Sequence, residues 1–219
     1  MNKPLTIDYY TDILCVWAWI AQRRIDELNQ KLGNAIEFQY YYVDIFGDIS
    51  TKMDINWKQK GGYVGFSEHV QRSAHEFEDT HIDSKVWREV RPATSANAHL
   101  VLKAVEIACD KRKSIEMALK FRTAFFMNAM DIGNLEVLFS LVEYNGLNKN
   151  DIKESIYDGS AVAALMRDYQ RSKQQSIKGS PSYVIDRGRQ ILYGNVGYRV
   201  LLANIEEHLK NPIDDASWC

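Results

Sequence analysis

The sequence predicts an α/β protein whose core is split in two, with a βαβ unit at the start of the chain and a ββα unit at the end. Three observations predict it. An alternating apolar/polar run at Leu5–Tyr10 is followed by one amphipathic helix and a second, aromatic-rich strand. Strand character then disappears and returns only at Ser182–Asp186. Between the two lie roughly 80 residues with almost purely helical periodicity, too many for a loop. The expected organisation is a discontinuous core formed by residues 1–43 and 177–219. A connecting loop and an inserted all-helical subdomain occupy residues 44–176.

The first strand, Leu5–Tyr10, ends in a turn over Thr11–Leu14. From Val16 to Leu32 the apolar positions Trp19, Ile20, Ile25, Leu28 and Leu32 give a helix, and Gly33 suits its C-terminal cap. Ile36–Val43 is the second strand, and a βαβ unit implies parallel pairing with a right-handed crossover. Asp44–Val90 is polar, carries Gly47, Gly61, Gly62 and Gly65, and reads as a loop with short helices. A helix starts near Ala96 and others follow at about Ile115–Met130, Leu135–Tyr144, Lys149–Tyr157 and Ala161–Lys173. Ser182–Asp186 and Gln190–Gly194 form a hairpin around Arg187-Gly188-Arg189, and Tyr198–Leu209 is the last helix. With the helical block set aside, the order βαβ…ββα is that of a thioredoxin-like core.

Composition excludes several classes. The chain has 219 residues, is 46% hydrophobic and 26% charged, and carries a net charge of −2, so it has no electrostatic footprint for nucleic acid or an acidic membrane. No apolar run is long enough to span a bilayer, and Met1-Asn2-Lys3-Pro4 begins no apolar leader, so a cytoplasmic location is expected. Cys15, Cys109 and Cys219 are too few and too scattered for a disulfide framework, and no metal-ligand spacing occurs. His69, His75 and His81 recur every six residues, which matches no zinc motif, and are expected to be solvated. The helical register of Cys109 is consistent with core packing.

The residue that carries chemistry is Cys15, placed between the first strand and the first helix. Unpaired N–H groups and the macrodipole at a helix N-terminus favour a thiolate, so a lowered thiol pKa is expected there. Pro181, in Gly179-Ser180-Pro181-Ser182, stands immediately before the third strand, where a proline must start a strand or shape a turn. Trp17 and Trp19 flank the thiol; Trp19 is expected to face the core, and Trp17 suits either a substrate wall or the core.

At this point the chain resembles the DsbA family in its FrnE-like branch, which is related to 2-hydroxychromene-2-carboxylate isomerases and kappa-class glutathione transferases. Asp12-Ile13-Leu14-Cys15-Val16-Trp17-Ala18-Trp19-Ile20 resembles the family's D-x-x-C-P-W-C-Y-I. Arg91–His99 resembles its segment ending in A-H, and Ala124–Ile132 resembles a helix followed by D-I. Ile177-Lys178-Gly179-Ser180-Pro181-Ser182-Tyr183-Val184-Ile185 resembles G-V-x-G-V-P-x-F-V-I. The resemblance implies Cys15 as the catalytic thiol, a cis-Pro181 packed against it, and Trp17, Ser180 and Pro181 as the substrate-binding surface. It implies thiol–disulfide exchange with protein thiols and disulfides or glutathione conjugates. It implies no required cofactor, with glutathione a candidate co-substrate.

Two departures matter. Val16 replaces the family's proline and Ala18 its second cysteine, so a mixed disulfide at Cys15 has no neighbour to resolve it. Cys219 is a candidate resolving thiol. A final helix of about 18 Å leaves a tail that extends to roughly 33 Å, enough to return to Cys15. The expected function is therefore a single-thiol oxidoreductase. A glutathione-dependent isomerase or transferase, or a non-catalytic binding protein, are the alternatives. A homodimer is compatible with the sequence.

Overall fold

A computed structural model describes residues 3–78 and 80–210. Strands β1 (Leu5–Thr11), β2 (Ile36–Tyr42), β3 (Ser182–Ile185) and β4 (Gln190–Tyr193) form one sheet in the order β2-β1-β3-β4. β1 and β2 run parallel, with Leu5 opposite Ile36 and Thr11 opposite Tyr42, across the crossover helix α1 (Val16–Leu32). β3 pairs antiparallel with both β1 and β4. The β3–β4 turn is a short 3₁₀ segment, Asp186–Gly188, in which Arg187 and Gly188 take the positive φ values a tight hairpin needs. This is the expected thioredoxin-like fold: a mixed sheet with an inserted helical region.

Between β2 and β3 lie α2 (Ile49–Thr51), α3 (Gly62–His75), α4 (Ala96–Ala108), α5 (Lys111–Phe126), α6 (Leu135–Tyr144), α7 (Lys149–Tyr157) and α8 (Ser160–Gln174), with a π-helical turn at Lys52–Asn56 and a 3₁₀ turn at Lys58–Lys60. The chain closes with α9 (Tyr198–Leu209). The segment read as a loop with short helices contains α3, which is fourteen residues long. Its glycine content hides the helix, yet a glycine is required: a Cβ at Gly65 would lie 1.7 Å from the Lys60 carbonyl oxygen. α5 starts before Ile115 because Asp110 caps it, accepting the Lys113 N–H at 2.8 Å. It stops at Phe126, where the Met130 N–H turns back to Ala124 and Ala129 adopts a left-handed conformation.

One face of the sheet buries Ile7, Tyr9, Ile36 and Phe38 against Ile25 and Leu28 of α1 and Leu201 and Ile205 of α9. The alternation of β1 sets Asp8 and Tyr10 on the opposite face, and they are buried as well. α8 reaches that side: the Arg171 guanidinium donates to Asp8 at 2.5 Å and to the Tyr10 hydroxyl at 3.0 Å and lies 4.5 Å over the Tyr41 ring. The largest apolar cluster runs from Ile13, Leu14, Val16 and Ala18 into Val101, Leu102, Phe121, Phe125 and Leu138 of the insert. Arg122 of α5 is fully buried and donates to the Thr11 hydroxyl at 2.6 Å and to Gln22 of α1 at 3.4 Å. The insert thus shares its core with the turn that carries Cys15.

Candidate active site at Cys15

Cys15 is the N-cap of α1, with extended backbone angles, and its carbonyl accepts the N–H groups of Ala18 and Trp19, each at 3.1 Å. Its thiol donates to the Ser180 carbonyl at 3.1 Å. The Ser180–Pro181 peptide is cis, as the resemblance implies. The Ser180 hydroxyl accepts the Asp12 N–H at 2.8 Å, and the Pro181 carbonyl accepts the Gly194 N–H at 2.8 Å. Cys15, Ser180 and Pro181 are thus brought together, with β1 on one side of the contact and the β3–β4 end on the other. Trp17 is half-buried and packs on the insert's cluster, while Trp19 stacks on Phe126 with ring centroids 5.7 Å apart, facing the core as expected.

Beneath this contact lies a pedestal that sequence reasoning did not assign. Asp12 is fully buried and accepts four hydrogen bonds: from the N–H groups of Leu14 (3.0 Å), Ile45 (3.1 Å) and Phe46 (2.9 Å), and from the Ser95 hydroxyl at 2.9 Å. His99, also fully buried, accepts the Ile13 N–H on Nε2 at 3.1 Å and stacks on Tyr42 at 4.6 Å. Because Nε2 is an acceptor, the ring proton sits on Nδ1, 3.3 Å from the Tyr169 hydroxyl. Burial pushes the His99 pKa down to about 3, and the Arg122 charge adds to that. The 3.7 Å approach of His99 to Asp12 is therefore between a neutral ring and a carboxylate, not an ion pair at neutral pH. Ser95 and His99, four residues apart at the start of α4, were the readable signal: one helical turn sets two polar groups on one face.

The thiol itself departs from expectation. Cys15 is only 6% exposed, and burial raises its pKa above the ordinary cysteine value. The Ser180 hydroxyl and the Ala18 and Trp17 N–H groups favour the thiolate, and the buried Asp12 charge opposes it, but desolvation outweighs them all. The helix terminus is present, but it does not lower the pKa. Burial likewise raises the Asp12 carboxyl, against its four hydrogen bonds.

Cys109 is the reverse case. It lies beyond the last turn of α4 and is exposed, not packed in the core, because the helix stops at Ala108. His75 and His81 are exposed as expected, but His69 is half-buried against Trp57, with ring centroids 5.2 Å apart. Cys219 lies outside the described residues. Among the described residues no group of three His, Cys, Asp or Glu side chains is arranged to hold a metal ion, and no helix is long and apolar enough to cross a membrane.

The pattern of the DSBA-like thioredoxin domain matches residues 6–206. Over 218 residues the chain is 24% identical to the ClpXP adapter protein SpxH of Halalkalibacterium halodurans, an alignment covering 95% of this chain and 69% of that one. Two solved structures show the same fold. The cytosolic disulfide reductase DsbM of Pseudomonas aeruginosa superposes with a TM-score of 0.71 at 17% identity, covering 94% of this chain and all of that one. A 2-hydroxychromene-2-carboxylate isomerase does so at 0.68 and 15% identity, covering 97% of this chain and all of that one.

Proposed function

The chain belongs to the DSBA-like thioredoxin domain family, and from that premise we propose that it is a single-thiol exchange protein. Cys15 captures a partner's disulfide, and a thiol from outside the site releases it. The observation that carries this reading is a lone thiol held 3.1 Å from the carbonyl that precedes a cis-proline, with Ala18 fully buried where a second cysteine would stand. In the capture step Cys15 gives its proton to solvent and its sulfur attacks one sulfur of a disulfide. A Cys15 mixed disulfide forms and the other half leaves as a thiolate. In release, an external thiolate such as glutathione attacks the partner's sulfur and returns Cys15 to its reduced form. No net oxidant is consumed. Trp17, Ser180 and Pro181 form the surface the partner meets, and a reducing cytoplasm supplies the external thiol. If the bound molecule is glutathione itself, the same contact holds its sulfur for isomerase or transferase chemistry.

A second reading has its own support. The thiol is buried and protonated at rest, and the SpxH of H. halodurans carries the name of an adapter. On that reading the surface beside Pro181 holds a partner without exchange.

The two separate in one experiment on a Cys109→Ser, Cys219→Ser background. Incubation with glutathione disulfide should add one glutathionyl mass, lost in Cys15→Ser and reversed by dithiothreitol. Absence of the adduct at alkaline pH would transfer the assignment to the second reading. Restoring Cys219 tests the internal route, which predicts faster release of the adduct.

A further inference from the structure

The outer edge of β2 is open in the middle and closed at both ends. β2 is the first strand of the order β2-β1-β3-β4, so it has β1 on one side only. The Val43 N–H is given to Thr11 of β1, and alternation places Tyr41, Gln39 and Glu37 on that same inner side. Ile36, Phe38, Tyr40 and Tyr42 therefore turn their N–H and C=O groups outward. The Ile36 N–H is taken by the Gly33 carbonyl, and the Tyr42 N–H by the Asp168 carboxylate at 3.1 Å. The outward N–H and C=O groups of Phe38 and Tyr40 have no partner among the described residues. β2 has neither proline nor bulge to blunt this edge.

This open stretch lines a groove of about 490 Å³, walled by α1 on one side and by the corner from the end of α4 to the start of α5 on the other. Four carboxylates, Asp26, Glu37, Glu106 and Glu116, face Lys111 and Arg112. Glu106 is matched by Lys103, and Glu116 by Arg112 and Lys113. Asp26 and Glu37 are exposed and make no ion pair among the described residues, nor does Lys111, so the groove keeps a surplus of one acid. We infer that this edge is a docking site for an extended, positively charged segment of a partner polypeptide, which joins the sheet as a strand beside β2.

Alternating backbone donors and acceptors are satisfied by an extended chain and by no small ligand of comparable size. The unmatched acids select basic side chains flanking the pairing residues. A second copy of this edge is a poorer occupant, because it would bring its own Asp26 and Glu37 against the same acids. The groove includes none of Cys15, Ser180 and Pro181, so the inference is independent of the thiol chemistry.

The test uses a capped Lys/Thr/Val heptapeptide, a Glu-for-Lys counterpart, and a version of the basic peptide N-methylated at alternate residues. Titration into ¹⁵N-labelled protein should shift the Phe38 and Tyr40 amides and slow their hydrogen exchange by about tenfold or more. The N-methylated and acidic peptides should lose that effect, and the Asp26→Lys, Glu37→Lys double variant should weaken binding of the basic peptide at least about tenfold. Glu37 and Asp26 are surface positions, so the variant is expected to fold. Shifts that survive N-methylation would overturn strand addition. Equal binding of acidic and basic peptides would overturn the charge selection. Self-association through this edge, seen as a concentration-dependent sedimentation shift lost in the double variant, would replace the partner by a second copy.

Discussion

Cys15 and Cys109 stand at opposite ends of two helices, one buried and one exposed. Cys15 caps the N-terminus of α1, where the backbone favours a thiolate, yet it is buried and its pKa is raised. Cys109 follows the C-terminus of α4 and is exposed. The difference shows that desolvation outweighs the helix terminus at this site. A partial charge worth at most about 2 kcal/mol does not offset removal of a thiolate from water. Cys15 lies in the apolar cluster that joins the start of α1 to the insert, and the Asp12–His99 pedestal anchors the turn that holds it there.

The most direct way to break the contrast is to remove the pedestal. Asp12→Ala leaves three N–H groups and the Ser95 hydroxyl without their acceptor in a buried place, and a loss of about 3–5 kcal/mol is expected in urea unfolding. Because the Asp12 charge also holds the Cys15 pKa up, the surviving folded fraction should alkylate faster at Cys15. A loss below about 1 kcal/mol would mean that the carboxylate is not the anchor.

In the parent protein, iodoacetamide at neutral pH should modify Cys109 at least about a hundredfold faster than Cys15, with the sites resolved by peptide mass mapping and the gap closed in urea. The Cys15 rate should still be climbing past the pH at which an ordinary cysteine has levelled off. Comparable native rates would refute gating by burial.

A smaller effect sharpens the role of His99. Its folded pKa of about 3 lies below the ordinary 6.5, so above pH 6.5 both folded and unfolded forms are neutral and its contribution is complete. As pH falls from 6.5 towards 3, the unfolded chain takes up a proton that the folded one refuses, and stability drops by up to about 1.4 kcal/mol per unit. His99→Gln, which can still accept the Ile13 N–H, should flatten that part of the curve relative to the parent. Parallel curves would show that His99 titrates normally. The smallest change is Ser180→Ala, which removes the acceptor of the Asp12 N–H and should cost about 1–2 kcal/mol without exposing Cys15.

The parts of this molecule that were legible in the sequence are those whose causes are local. The ranges of α1, α6, α7 and α9 follow from apolar periodicity and nearby caps, and they match the expected boundaries. The juxtaposition of Cys15 with Pro181 was legible only through resemblance, since 166 residues separate them and no spacing rule connects them. The pedestal left one trace in the sequence, the four-residue spacing of Ser95 and His99, and nothing in that spacing points to Asp12. Asp12 and His99 look unremarkable in their own segments, and their roles arise when α4 packs beneath the β1–α1 turn. Burial of the thiol was missed for the same reason: the insert supplies the cover, and nothing near Cys15 in the chain announces it. Likewise nothing in β1 itself announces Arg171, which closes its second face from α8.

The sheet order carries a consequence for how the protein is made. β1 emerges from the ribosome before β2 and finds it quickly, because only α1 and a short 3₁₀ turn lie between them. Its other neighbour, β3, is translated after all of the insert. Throughout that interval the central strand of the finished sheet is a nascent edge, rich in tyrosine and open to pairing with the wrong chain. Co-translational folding therefore depends on the helices that come next. α5 delivers Arg122 to Thr11 and α8 delivers Arg171 to Asp8, so both hold the strand in place before its partner has been synthesised.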